Sequence, residues 1–444
     1  PRSLSPLFFS MVRNHFAGCF SILLMAMTLV PMARGASVPT STNLVISSSS
    51  VPYKTPITLT ATVTSGGLPV GSGLVLFCEA TATYCENNSA LGVAQLTYPN
   101  ATAVLKVGSG PIGVHSYKAM YRANNVYATS TSNTVSYSVT GTYSSATTLS
   151  ASGIPGSYSL QGGVVGIGSL TTGPSGTISF LDQSVGNNVL GSQNLVVSTL
   201  SNTFAPKPPF AIGGASATLR SVSLASAYLD ADNNLDVVTG DAAQTITVLL
   251  GNGDGSFKPQ VNYPGCTVGR ALKVVLADFN RDGNTDIALG CSDGTSGGLV
   301  IILGNGNGSF KTPVFYSTGD VFSIAIGDFN NDGLIDIAVT DQAQKNVTTF
   351  LGVGDGTFAT GVVLTTPAQA HGIVIGDFNG DGNDDLAYAV TSSVSGSTLS
   401  DLYVAQGKGD GTFKTPVKVT TNTTQIGEFL TSGDANADNR VDIV

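Results

Sequence analysis

The chain has 444 residues, a formal charge of −9, 42% hydrophobic and only 11% charged residues, against about 25% charged in an ordinary soluble domain. The hydrophobic share is enough for packed cores and rules out wholesale disorder, and the negative charge argues against a nucleic-acid partner, which needs a basic face. Of the 28 acids, 25 are Asp and Glu stands only at Glu79, Glu86 and Glu428. Asp is a turn and ligand residue and Glu a helix former, so the composition also argues against long solvent-facing helices.

Met11, Arg13 and the apolar run 16–30 read as a signal peptide, and Ala33-Arg34-Gly35 fits cleavage before Ala36. Residues 1–35 are therefore assigned to upstream sequence plus signal, with export to the medium or the cell surface and no transmembrane span after signal removal. Four cysteines follow, Cys78, Cys85, Cys266 and Cys291. An even count in an exported chain suggests disulfides, and the spacing favours the local pairs Cys78–Cys85 and Cys266–Cys291, with buried free thiols as the alternative. No Cys/His cluster points to zinc.

Residues 36–204 are rich in Ser, Thr, Val and Gly. Short runs of period-two alternation recur, as in Ile57-Thr58-Leu59-Thr60-Ala61-Thr62-Val63 and in 73–77, 116–121 and 134–139, with turn residues between them. That pattern predicts an antiparallel sandwich. The segment resembles the bacterial Ig-like repeats of surface proteins over about 40–140. A second copy starts near Thr147 and lacks the closing strand, so 36–140 is assigned as an Ig-like sandwich and 141–204 as a second, incomplete Ig-like module.

Residues 205–444 hold 24 of the 25 Asp in an internal repeat. Five nine-residue segments align: 228–236, 278–286, 328–336, 377–385 and 434–442, here loops one to five. Their last Asp residues (Asp236, Asp286, Asp336, Asp385 and Asp442) are spaced by 50, 50, 49 and 57 positions. A second motif, Leu250-Gly251-Asn252-Gly253-Asp254-Gly255-Ser256-Phe257 and its counterparts 303–310, 351–358 and 406–413, follows each of the first four loops. Buried-looking strands such as Leu299-Val300-Ile301-Ile302-Leu303 lie between. Four strands per roughly 50-residue period describe a propeller blade. The region resembles FG-GAP/VCBS repeats, the blades of integrin-like propellers. The expected fold is thus all-β, with Ig-like sandwiches followed by a partial propeller over 205–444, read as four blades and the start of a fifth.

Asp-x-Asn-x-Asp-Gly-x-x-Asp is a calcium-binding spacing. Ca²⁺ takes 6–8 hard oxygen ligands, which side chains one, three, five and nine and the carbonyl of residue seven can supply from a tightly curled loop. The expected ligands are Asp278, Asn280, Asp282, Asn284 and Asp286; Asp328, Asn330, Asp332, Leu334 and Asp336; Asp377, Asn379, Asp381, Asn383 and Asp385; and Asp434, Asn436, Asp438, Arg440 and Asp442. Loop one starts with Tyr228, which leaves Asp230, Asp232 and Asp236 as a weak site. The loops are not EF-hands: position twelve is Leu289, Val339 or Tyr388 where a bidentate Glu is required. All-oxygen donors without His or Cys favour Ca²⁺ as the cofactor, in a structural role.

The sequence offers no catalytic residues. The three His (His15, His115 and His371) form no Ser/His/Asp grouping, and the Gly-rich runs lack the Lys-Ser/Thr of a phosphate loop. The expectation is a non-enzymatic exported adhesion or ligand-binding protein with an Ig-like stalk and a propeller head, its partner an extracellular protein or carbohydrate. The alternatives are the accessory region of a polysaccharide-degrading enzyme, or a structural surface component.

Overall fold

The computed structural model describes residues 37–444, apart from 83–84, 86–89, 98, 155–156, 168–173, 183–185, 187, 196–222, 241–243, 395–396, 423–429, 434–440 and 444. The signal-peptide assignment therefore lies outside the described residues, as do Asp434, Asn436, Asp438 and Arg440 of loop five. Every named element is a β-strand.

The first ten strands build the Ig-like sandwich: β1 (Ser41–Ile46), β2 (Ser50–Pro52), β3 (Ile57–Ser65), β4 (Leu68–Pro69), β5 (Leu74–Glu79), β6 (Ala90–Gln95), β7 (Thr102–Val107), β8 (Gly113–Tyr121), β9 (Ser130–Thr131) and β10 (Val135–Thr140). One sheet runs β1-β3-β4, with β7 also on β3. The other runs β2-β10-β8-β5-β6, with β9 on β8. The period-two pattern explains the packing. Ile57, Leu59, Ala61 and Val63 are fully buried, while the threonines between them face outward half-buried. They meet Phe77, Tyr117, Ala119, Tyr121 and Tyr137 from the second sheet. A disulfide joins Cys78 of β5 to Cys85.

Between sandwich and propeller lie two antiparallel pairs, β11 (Ser144–Ile154) with β12 (Ser157–Ile167), and β13 (Thr177–Asp182) with β14 (Asn188–Asn194).

Four four-stranded antiparallel sheets follow, each a meander in chain order. Blade one contains β15 (Ser223–Ala227), β16 (Asp236–Gly240), β17 (Thr245–Leu249) and β18 (Val261–Pro264). Blade two contains β19 (Arg270–Ala277), β20 (Asp286–Ser292), β21 (Gly297–Ile302) and β22 (Val314–Ser317). Blade three contains β23 (Val321–Gly327), β24 (Asp336–Asp341), β25 (Asn346–Gly352) and β26 (Phe358–Thr365). Blade four contains β27 (Gln369–Gly376), β28 (Asp385–Val394), β29 (Ser397–Ala405) and β30 (Val417–Asn422). A pair, β31 (Ser432–Gly433) and β32 (Asp442–Ile443), comes after them.

The second and third strands of blade two are buried along their whole length, whereas the fourth, β22, is mostly exposed. This is why the inner strands read as unbroken apolar runs: both faces are covered. The cores lie between consecutive blades. Ile246 and Val248 of blade one pack with Ile287 and Leu289 of blade two; Ile301 of blade two packs with Ile324 and Ile337 of blade three. The Cys266–Cys291 disulfide ties the chain after β18 of blade one to β20 of blade two.

Candidate metal sites in the acidic loops

Each of loops one to four joins the first and second strands of its blade, and its backbone is curled by left-handed residues. In loops two, three and four the fourth position (Arg281, Asn331, Gly380) and the sixth (Gly283, Gly333, Gly382) all have positive φ. In loop one only the sixth, Asn233, does. The curl turns side chains inward onto backbone amides. In loop two the Asp282 N–H donates to Asp278 Oδ1 (3.2 Å) and Asn280 Oδ1 (3.1 Å), which brings the oxygens of positions one and three together. The Gly283 N–H donates to Asp278 Oδ2 (2.8 Å), and the Asn284 N–H to Asp282 Oδ1 (2.8 Å). Loop three repeats this set, with Asp332 N–H on Asp328 and Asn330, Gly333 N–H on Asp328 and Leu334 N–H on Asp332. Loop four repeats it with Asp381 N–H on Asp377 and Asn379, and Asn383 N–H on Asp381.

The ninth residue has a task that the spacing did not reveal. Asp286 is fully buried, and its carboxylate accepts the Phe279 N–H of its own loop and the Gly304 N–H of the second motif, both at 2.8 Å. Asp236 binds Leu229 and Gly251 N–H, Asp336 binds Phe329 and Gly352, and Asp385 binds Phe378 and Gly407. This clamp explains why the two motifs travel together. A Cβ on Gly304 would fall 2.2 Å from the Thr285 carbonyl oxygen, closer than any side chain tolerates, so the second motif must have glycine at its second position there.

Neighbouring repeats are also stapled. Phe279 of loop two packs edge-on against Phe358 of the next blade's second motif (5.7 Å between ring centroids), and Phe329 of loop three against Phe413 (5.6 Å). The Asp and Asn side chains of the second motif are turn residues: Asp254, Asn307, Asp355 and Asp410 each accept the N–H and hydroxyl of the Ser or Thr two positions on.

Burial raises the affinity of these carboxylates for protons. It pushes Asp286 and Asp328 up to about 7, Asp336 up to about 8 and Asp385 up to about 6. The donor set fits a hard divalent cation: carboxylate, amide and carbonyl oxygens only, with three carboxylates per loop, the ninth of them buried, and no sulfur or imidazole.

Loop one is different. Asp230, Asp232 and Asp236 each present an oxygen within 4.8 Å of the others, the one such acidic triad among the described residues. The Lys258 ammonium sits on it, 2.8 Å from Asp232 and 3.4 Å from Asp230. That hydrogen bond holds Asp232 well below the usual carboxylate range. Lys106 of the sandwich lies over the Tyr228 ring at 4.5 Å. The weak site of the sequence reading thus already carries a cation of the chain's own.

His371 is a packed core residue. It is buried, its Nδ1 is paired with Gln342 at 2.9 Å, its Nε2 with Thr391 at 2.5 Å, and its ring lies edge-on to Phe322.

Against this geometry the family comparisons are specific. The FG-GAP-like repeat model matches 228–289, 278–339 and 328–388, and the bacterial Ig-like domain (group 3) model matches 44–140. Each FG-GAP match begins at the first position of a loop and runs through the loop of the next blade. No curated protein matches the chain. The chain joins a bacterial Ig-like domain to FG-GAP-like repeats, an all-β architecture of the kind found in extracellular ligand-binding or structural proteins. No helix among the described residues is long and apolar enough to cross a membrane.

Proposed function

We propose that the protein is an exported, non-catalytic calcium-binding protein whose propeller repeats form a ligand-binding, adhesion-type head beside an Ig-like module. The observation that carries the reading is the three-fold recurrence, in loops two, three and four, of one curled backbone with oxygens of positions one and three brought onto a single amide. Calcium would be held by positions one, three, five and nine and the carbonyl of seven. A bound ion would supply two positive charges to a turn whose sequence carries Asp at positions one, five and nine. The protein's own residues then do structural work: the ninth Asp locks the loop to the second motif, and the paired phenylalanines lock one blade to the next. Loop one needs no ion because Lys258 answers its carboxylates.

Isothermal titration of the chelator-treated full chain with CaCl₂ tests this. At least three ions per chain are expected, and Asp282→Ala should lose one. No saturable binding, or full stoichiometry in Asp282→Ala, would count against the assignment.

A further inference from the structure

Loop three differs from its neighbours in what covers it. Four successive backbone carbonyls, those of residues 330–333, accept hydrogen bonds from the Ig-like sandwich. Asn125 Nδ2 donates to Asn330 O (2.7 Å) and the Asn125 N–H to Asn331 O (2.8 Å). Ser72 Oγ donates to Asp332 O (2.7 Å) and the Gly73 N–H to Gly333 O (3.1 Å). The fit leaves no room for a side chain, since a Cβ on Gly333 would lie 2.4 Å from the Gly73 nitrogen. The donors are themselves fixed: the Tyr121 hydroxyl donates to Ser72 O, and Asn124 Nδ2 donates to the Tyr121 hydroxyl.

A charged contact reinforces the backbone ones. Arg122, the residue after β8, donates from both terminal guanidinium nitrogens to Asp384 of loop four, Nη1 to Oδ2 at 3.0 Å and Nη2 to Oδ1 at 2.8 Å. Asp384 occupies the eighth position, which the calcium spacing leaves without a ligand role. Its Oδ2 also accepts the Asp328 N–H at 2.8 Å, at the first position of loop three. Asn331 Nδ2 in turn donates to Asn383 Oδ1 at 2.8 Å. Asp384, Asp328 and Asn331 are buried at 5%, 2% and 3% exposure, in contrast to the exposed Asp282 and Gly283 of loop two. Arg281 of loop two adds bonds to the Leu96 and Gly71 carbonyls of the sandwich.

We propose that loop three is the docking surface for the chain's own Ig-like module, and that a divalent cation in this loop and the docked module stabilise one another. The physical reason is shared backbone. The sandwich holds residues 330–333 in the curl that presents Asp328, Asn330 and Asp332, so a docked module pre-orders the ion's ligands, and a bound ion pre-orders the carbonyls that the sandwich binds. Coupling of this kind is reciprocal by thermodynamic necessity. The coupling rests on the calcium reading of loop three proposed above, while the contacts themselves do not.

The test uses the full chain with Ca²⁺ as the probe. Isothermal titration should show unchanged stoichiometry in Arg122→Ala, with one site weakened by roughly fivefold or more, the lower range of typical coupling. Asn125→Ala removes one hydrogen bond without touching a charge and should weaken the same site to a smaller degree. Hydrogen exchange gives the reciprocal readout. The amides of Gly73 and Asn125 should exchange faster when calcium is chelated from the wild-type chain, and buried sandwich amides such as Ala119 should not. Identical calcium isotherms in wild type and both variants, or Gly73 and Asn125 exchange indifferent to calcium, would overturn the coupling and leave calcium binding standing. No calcium binding in any chain would overturn both.

Discussion

Replacing Asp286 in the absence of calcium separates the clamp role of the ninth position from its proposed ligand role. In Asp286→Ala two buried N–H groups, those of Phe279 and Gly304, lose their only described acceptor. Leaving a buried donor unsatisfied costs about 1–3 kcal/mol, so the pair amounts to about 2–6 kcal/mol before any loss of calcium. At about 2–4 °C per kcal/mol for a region of this size, the melting temperature should fall by on the order of 10 °C. Asp286→Asn keeps one acceptor oxygen and should fall roughly half as far. Asp282 is the contrast: it is exposed, its hydrogen bonds to Asn280 and Asn284 can be replaced by water, and Asp282→Ala should cost under about 1 kcal/mol without calcium. Calorimetry in excess chelator isolates the effect. A clamp role for Asp286 is refuted if Asp286→Ala melts with the wild type there, or if Asp282→Ala costs as much.

Three further outcomes follow from the same geometry. Lys258→Met removes the ammonium from Asp230 and Asp232, so calcium titration should gain one site in loop one; an unchanged count would show that the triad does not bind even when vacated. Burial raises Asp286, Asp328, Asp336 and Asp385 to about 6–8, so the metal-free fold holds protons that the unfolded chain has released. Stability in chelator should therefore be greatest near pH 4 and fall as pH rises to about 8, while calcium affinity climbs over the upper part of that window; a melting temperature that rises with pH in chelator would contradict this. Gly352→Ala places a Cβ 2.3 Å from the Ile335 carbonyl oxygen and should destabilise by about 1–3 kcal/mol or more, with calcium present or absent, as read by denaturant unfolding.

Local periodicity made the fold class legible. Alternation in 57–63 marks a strand of the sandwich, and a 50-residue repeat of strands and turns marks the blades, because both are properties of neighbours in sequence. The curled loops were legible for the same reason, since their hydrogen bonds join residues two to five apart. What stayed hidden depends on pairs that no local pattern links. The ninth Asp bonds an amide 15–22 positions away in the second motif. Lys258 reaches a loop 26 residues upstream, and Arg122 meets Asp384 across 262 positions. Asp384, at a position the calcium spacing leaves unassigned, takes its partner from another domain. Four of the five expected ligand positions of loop five lie outside the described residues, and only Asp442, in the short β31–β32 pair, belongs to the structure described.

In the proposed function, calcium holds the repeat region together through loops two, three and four. Thermal unfolding of the full chain by calorimetry, with saturating calcium and then with excess chelator at pH 7.5, tests it most directly. Chelation should lower the melting temperature of the repeat region, and added calcium should restore it. The same melting temperature in both conditions would contradict that role for calcium.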